Sequence, residues 1–367
     1  MDPIEIGNSA RNVLSTVEIK LNRLLGREFI PRYAETLHIE TSSVCNLECC
    51  FCAYVKKQSP KVSMTNAFFV DVVRQAVELG YRRFEMTPCT GDVFMDPNIF
   101  EKFEHLEAHA DVAGYQFFTN FTVPRPKDIE RILALKKLTH VTISIYGHDP
   151  ATFEGITGAS AKIYRRLCAN LEQLHGALGR KSFDLDFGMR STKDMPRRAV
   201  SELMRLMERF EAAGVAVRRS HGVYNNWGGY VTTADMRGLP IDINGAERIY
   251  KNGACAHLFT TVQVMATGIV NGCACRDVDA TLRIGDLNAT ALRDIVSPAN
   301  PAYMQLIDEQ QRGEFRPVCK SCDFYKSIYH MRSIYRKAGI PLETLDGFKT
   351  RLARERGVTP ATEPSRD

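Results

Sequence analysis

The chain has 367 residues, of which 44% are apolar and 25% charged, and a formal net charge of +5. That length can bury a large core and has room for more than one module. The composition is that of an ordinary soluble globular protein. No apolar run reaches the ~18 residues of a membrane span, and the basic residues are scattered rather than striped, which gives little support to nucleic-acid binding.

The mild positive charge suits a small anionic substrate. Met1-Asp2-Pro3-Ile4-Glu5 lacks the basic region and apolar core of a signal peptide, so a cytoplasmic location is expected. Eleven cysteines in a long chain without an export signal argue against a disulfide framework. They cluster instead, which points to metal or cluster ligation.

Residues 1–36 hold one amphipathic helix candidate. Val13, Leu14, Val17, Leu21, Leu24 and Leu25 recur at helical spacing, and Gly26 can end the helix. The stripe is expected to pack over one end of a core domain. From Leu37 to about Arg219, strands and helices then alternate. Strands are expected at Leu37–Thr41, Arg83–Thr87, Tyr115–Asn120, Val141–Tyr146, Asp184–Arg190 and Val215–Arg219. Helical stretches lie between them at Asn66–Leu79, Ile99–Leu106, Asp128–Leu135, Tyr164–His175 and Pro196–Phe210. Such βα repeats predict parallel strands with helices outside, and ligands at the C-terminal ends of the strands.

Just after the first strand comes Cys45-Asn46-Leu47-Glu48-Cys49-Cys50-Phe51-Cys52, a C-x3-C-x2-C array. Cubane iron–sulfur clusters normally take four thiolates. Cys45, Cys49 and Cys52 supply three, which leaves one iron open. Zinc also takes cysteine, but three close thiolates with no fourth ligand nearby fit a structural zinc site poorly.

From about residue 220 helical periodicity fades. Phe259–Met265 and Ile269–Val270 around Thr267-Gly268 read as a β-hairpin, and Leu282–Leu287 as a short strand and turn. Ala291–Ile295 and Ala302–Glu309 read as short helices, and Ile328–Lys337 and Glu343–Arg356 as basic ones. Cys255, Cys273, Cys319 and Cys322 supply four thiolates, one before the hairpin, one after it, and a final C-x2-C. Four ligands can coordinate a cluster fully or hold zinc. Cys275, two residues past Cys273, would share its face on a strand. It is a spare ligand, an inert buried thiol or a hydrogen-atom donor. Cys50 and Cys89 are unassigned, and Cys168 reads as core.

The cysteine loop, with its aromatic Phe51, resembles the signature of the radical S-adenosylmethionine (radical SAM) superfamily. The resemblance implies a partial (β/α)6 barrel of parallel strands, a [4Fe-4S] cluster whose open iron binds SAM, and an external electron donor such as flavodoxin or ferredoxin. It also implies that SAM is split into methionine and a 5'-deoxyadenosyl radical. Thr90-Gly91-Asp92 after the second strand resembles, in degenerate form, the family's Gly-Gly-Glu-Pro segment that holds the SAM amino group. Asn120, Ser144 and Arg190, near the ends of strands three, four and five, match positions where the family carries SAM contacts. An arginine fork is well shaped for the SAM carboxylate.

The second cysteine set resembles the SPASM/twitch domain, a small β-hairpin-plus-helix unit that holds an auxiliary [4Fe-4S] cluster; Asn226-Trp227-Gly228-Gly229 is similar to SPASM-type enzymes as well. Its spacing is similar to that of the 2-deoxy-scyllo-inosamine dehydrogenases. The domains then expected are 1–36, a helical extension; 37–220, the barrel; 221–325, the auxiliary-cluster domain; 326–356, C-terminal helices; and 357–367, a flexible tail. The implied reaction is hydrogen abstraction from a carbinol C–H of a sugar, aminocyclitol or nucleoside, with oxidation through the second cluster. His221, Arg218, Arg219 and Tyr224, just after strand six, are candidates to position the substrate hydroxyl. Two alternatives are redox-neutral epimerisation with Cys275 as hydrogen donor, and maturation of a ribosomal peptide. Against the latter, the 36 residues before the first strand are fewer than the ~80 that a separate peptide-recognition fold needs. A non-catalytic cluster- or zinc-binding module would leave the open three-cysteine site unexplained.

Overall fold

The computed structural model describes residues 3–32 and 36–358, without the side chains of residues 3–11 and Arg248. The tail expected from residue 357 lies almost wholly outside the described residues. Alternation of apolar and polar residues sets the framework. Leu37 and Ile39, Phe84 and Met86, Tyr115 and Phe117, Val141 and Ile143, and Leu185 and Phe187 are buried. They form one side of a hydrophobic core completed by the helices. The polar residues between them face the other way, into the concave side of the sheet.

The strands are β1 (Thr36–Ile39), β2 (Arg83–Met86), β3 (Gly114–Thr119), β4 (Leu138–Tyr146), β5 (Asp184–Ser191) and β6 (Ala216–His221). Each pairs in parallel with the next. The helices between them are α2 (Asn66–Glu78), α3 (Ile99–Ala108), α4 (Pro126–Ala134), α5 (Pro150–Thr157), α6 (Ala161–Gly176) and α7 (Glu202–Ala212), after an N-terminal α1 (Pro3–Leu24). The sheet is open, as the partial barrel requires, and not closed.

It also continues past β1. The hairpin strands β7 (Gln263–Val264) and β8 (Ile269–Asn271), with β9 (Arg283–Asp286), extend it to nine strands in the order β9-β8-β7-β1-β2-β3-β4-β5-β6. β7 lies parallel to β1, with Gln263 opposite His38 and Val264 opposite Ile39. The second cysteine region is therefore hydrogen-bonded directly to the first barrel strand.

Several local expectations change. Helix α5 lies where the sequence pattern assigns no element; its start carries an Asp149 capping box and Pro150 at the first turn. Residues His257–Thr260 form a helical turn, so the hairpin strand begins only at Gln263. Of Ile328–Lys337 only Ser333–Lys337 is helical, because Ser327 bridges back to Cys255 and Ile328 N–H donates to the Ala254 carbonyl at 3.1 Å.

The largest difference is in α1. Its aliphatic stripe does not pack on the core: Leu14 is 70% and Leu24 83% exposed, and Val13, Val17, Leu21 and Leu25 are exposed too. The docked face is more polar. Ile19 is buried, the Asn22 amide donates to the Tyr329 carbonyl at 2.9 Å, and Glu18 accepts from Met331 N–H at 2.9 Å. Those bonds satisfy a loop backbone that would otherwise be buried unpaired. Urea unfolding checks this orientation. Leu14→Glu is expected to shift stability by less than about 0.5 kcal/mol, as for a surface change. Ile19→Ala is expected to cost about 2 kcal/mol, as for a core truncation.

Candidate active site

The first cysteine loop is tied down on three sides. Ser43 N–H donates to the Val62 carbonyl at 2.9 Å and Met64 N–H to Thr41 at 2.8 Å, which closes its base. Glu48 and Cys50 N–H groups donate to Thr157 and Ile156 at the end of α5, both at 2.9 Å. Asn46 donates to Thr122 at 2.8 Å and accepts from Asn120 at 2.9 Å. A loop so anchored presents its thiols in a fixed arrangement.

Cys45, Cys49 and Cys52 line a cavity of about 250 Å³ at the C-terminal ends of the strands. All seven residues singled out as cofactor contacts (Phe51, Thr90, Gly91, Asp92, Asn120, Ser144 and Arg190) line the same cavity. Their environments differ. Asp92 spends its carboxylate on the protein, accepting from Asn120 N–H at 2.7 Å, Phe94 N–H at 3.0 Å and the Thr119 hydroxyl at 3.0 Å. It braces the second strand's loop against the end of the third. Burial pushes its pKa up, and those three donors oppose that. The Thr90 hydroxyl is buried with no partner among the described residues. Phe51 is wedged between Tyr146 and Tyr224, at 5.2 and 5.0 Å between ring centroids, with the Arg190 guanidinium 5.6 Å from its ring centre.

The substrate-positioning candidates after strand six stand elsewhere. His221 is exposed at the end of β6. Arg218 is bound to Asp186 at 2.7 Å, and Arg219 is paired with Glu211. Tyr224 is buried behind Phe51, and its hydroxyl donates to the Ser191 carbonyl. It holds the aromatic ring in place and does not line the cavity. Cys89, unassigned in the sequence, also lines the cavity, as do Tyr146, Phe118 and Arg276, which were not singled out as site residues. Tyr146 and Phe118 could have been found by alternation alone, since they share strand faces with Ser144 and Gln116.

A second cavity is lined by Cys255, Cys273, Cys275, Cys319 and Cys322. The sulfurs are not equivalent. Cys255 accepts from Lys326 N–H at 3.4 Å, Cys273 from Cys275 N–H at 3.4 Å, Cys319 from the Gln310 amide at 3.2 Å and Cys322 from Phe324 N–H at 3.2 Å. Among the described residues the Cys275 sulfur receives no such bond. N–H donors aimed at sulfur stabilise thiolate charge and tune bound iron–sulfur clusters. In the first set, Cys52 accepts from Tyr54 N–H at 3.5 Å and Cys45 from Asn120 at 3.8 Å.

Burial pushes the thiols of Cys45 and Cys255 up to about 12. They are protonated near neutral pH and would each release a proton on ligating iron. Among the described residues no three His, Cys, Asp or Glu side chains converge on one point, as the ligands of a single zinc ion must. With three thiols at one cavity and four N–H-supported thiols at the other, the donor sets fit an open-iron cluster and a fully ligated one.

Residues 39–204 match the Radical SAM superfamily, and the chain carries a domain of that superfamily. Its members use a [4Fe-4S] cluster and SAM. No curated protein matches the chain. Among solved structures, BtrN in complex with AdoMet and 2-DOIA superposes with a TM-score of 0.52 at 16% identity, over 81% of this chain and 96% of that one. Native anSMEcpe with bound AdoMet gives 0.51 at 14%, over 88% and 95%. SuiB of Streptococcus suis bound to S-adenosylmethionine gives 0.50 at 14%, over 82% and 76%. At these identities the likeness establishes the fold.

Gly91 offers a direct test of the cavity. Its φ is +96°, and a Cβ there would come within 2.3 Å of the Ser42 carbonyl oxygen. In Gly91→Ala the loop must move away from the first strand. SAM affinity, measured by equilibrium dialysis on the iron-loaded protein, is expected to fall tenfold or more; unchanged affinity would show that this loop does not bear on SAM.

Proposed function

We propose that the protein is a radical SAM oxidoreductase that oxidises a carbinol carbon of a sugar, aminocyclitol or nucleoside. In this reading Cys255, Cys273, Cys319 and Cys322 hold an auxiliary [4Fe-4S] cluster, and an external flavodoxin or ferredoxin supplies the starting electron. One observation carries the reading: Arg276 lines both cysteine cavities. The two sites therefore adjoin, with Arg276 in the wall between them.

Cys45, Cys49 and Cys52 would hold the first cluster, which with SAM would supply hydrogen-atom abstraction from the carbinol carbon; Cys255, Cys273, Cys319 and Cys322 would hold the group that takes up the one electron released, and the hydroxyl proton would leave to water as the ketone forms. Arg276 is placed to assist. Its guanidinium lies 4.7 Å from the Phe324 ring centre and 5.2 Å from that of Trp227, and its Nε has no hydrogen-bond partner among the described residues. The same Nε lies 3.9 Å from the buried Asp323 carboxylate, and Nη1 donates to the Cys275 carbonyl at 2.7 Å, so the guanidinium is held in place between the two cavities, where its charge would stabilise an oxygen that loses its proton. Its charge also favours the thiolate forms of Cys52 and Cys322, one from each set.

A second reading, epimerisation, has its own support. Cys89 lines the first cavity, and burial holds its thiol protonated, as a hydrogen-atom donor must be. Cys275 lies on the second cavity, so it is the less direct donor.

Anaerobic reconstitution followed by turnover separates these. About eight irons per chain are expected, and about four in Cys255→Ala or Cys319→Ala. Cys275→Ala is expected to keep about eight. Oxidation yields a product two mass units lighter than the substrate. A product of unchanged mass that gains deuterium from solvent would establish epimerisation instead, and zinc or about four irons in the wild type would remove the electron-transfer mechanism.

A further inference from the structure

The N-terminal helix carries a feature that neither cysteine site uses. On α1, Leu14, Val17, Leu21 and Leu24 follow one another at steps of three, four and three residues. Those are the a and d steps of a heptad, which set side chains in one stripe along a helix. Val13 and Leu25 border the stripe, each four residues from a member of it. All six are exposed, from 50% at Leu25 to 83% at Leu24. Within residues 12–25 no charged side chain falls in this sector of the helix.

The helix is a fixed ridge. On its other face Ile19 is buried, the Asn22 amide donates to the Tyr329 carbonyl at 2.9 Å, and Arg23 donates to the Gln311 carbonyl at 2.9 Å. The charged residues beside the stripe are turned to their own chain as well. Glu18 accepts from Met331 N–H at 2.9 Å, and the Lys20 ammonium lies 5.3 Å from the Tyr250 ring centre. A helix already held in this way gives up little freedom when something docks on it.

The amount and pattern of exposed surface say what fits. The six residues present on the order of 600 Å² of mainly apolar surface, the upper end of the largest patch a monomer leaves bare. Two copies paired through it would bury ~1,200 Å², where specific interfaces begin. A membrane surface fits less well. Helices that lie in the lipid interface offer lysine and arginine to anionic headgroups, and here Lys20 and Arg23 are engaged with Tyr250 and Gln311. Heptad spacing is instead the seam of helix-on-helix packing, and such a seam is complementary to a second copy of itself.

We propose that α1 is a dimerisation element: two copies of the chain pair through Leu14, Val17, Leu21 and Leu24, helix against helix about a two-fold axis. A seam of this size gives association in the micromolar range. Unfolding followed at high dilution therefore reads the monomer, in which Leu14→Glu is a surface change.

Sedimentation velocity of the reconstituted enzyme at ~1 and ~100 μM tests the proposal. The wild type is expected to pass from mainly monomer to mainly dimer. Leu21→Glu and Leu24→Glu are each expected to weaken the association tenfold or more, with wild-type iron content and unchanged unfolding at high dilution. Val200→Glu, which alters a valine 59% exposed outside α1, is expected to dimerise as the wild type does. Vesicles of phosphatidylcholine and phosphatidylglycerol are expected not to carry the protein in flotation. A wild type that stays monomeric at the higher concentration, a dimer that survives both leucine variants, equal loss of the dimer in Val200→Glu, or flotation with the vesicles that Leu24→Glu abolishes would each overturn the inference.

Discussion

The arrangement depends on one short piece of backbone pairing. Strand β1 has β2 on one side and the two-residue β7 on the other. His38 N–H donates to the Val262 carbonyl at 3.3 Å and Glu40 N–H to Val264 at 2.8 Å. The first cysteine loop leaves the C-terminal end of β1, and the second cysteine region hangs from β7 and β8. A single strand thus fixes both thiol sets in one frame, although more than 200 residues of sequence separate Cys52 from Cys255. Slipping that pairing by one residue would turn Gln263 to the helix side and Val264 into the concave space. The buried Val264 and Val270 hold the register.

Around that frame, burial and charge are set against each other. Desolvation raises every thiol proposed as a ligand. Backbone and side-chain N–H groups, with Arg190 and Arg276, work in the opposite direction. The balance favours neutral thiols in the protein alone and thiolates once iron supplies its own positive charge. The four N–H-supported sulfurs of the second cavity and the unsupported Cys275 differ by this local donor geometry, not by depth of burial.

Much of this was legible in the sequence. Spacing located both thiol sets, and alternation located the strands that carry Ser144 and Arg190, because a buried face imposes period two on any strand. What escaped was set by distant partners. Gln310 reaches Cys319 from a separate helix, Pro301–Arg312, and nothing in its local sequence announces a sulfur partner. Strand β7 is too short for its parallel pairing with β1 to leave a pattern. The leucine stripe of α1 misled because apolar spacing shows that a helix is amphipathic, not which face meets this core. There Asn22 and Glu18, bonded to the Tyr329 and Met331 backbone, set the orientation.

The central claim is that two clusters of different ligation adjoin across Arg276: one open to SAM and one closed by four cysteines. Electron paramagnetic resonance of the reduced, reconstituted enzyme, recorded with and without SAM, tests it most directly. Two distinct signals are predicted, of which SAM shifts one and leaves the other unmoved; the shifted signal should be missing from Cys49→Ala. A single signal, or two signals that both respond to SAM as direct ligation would make them, would contradict the account.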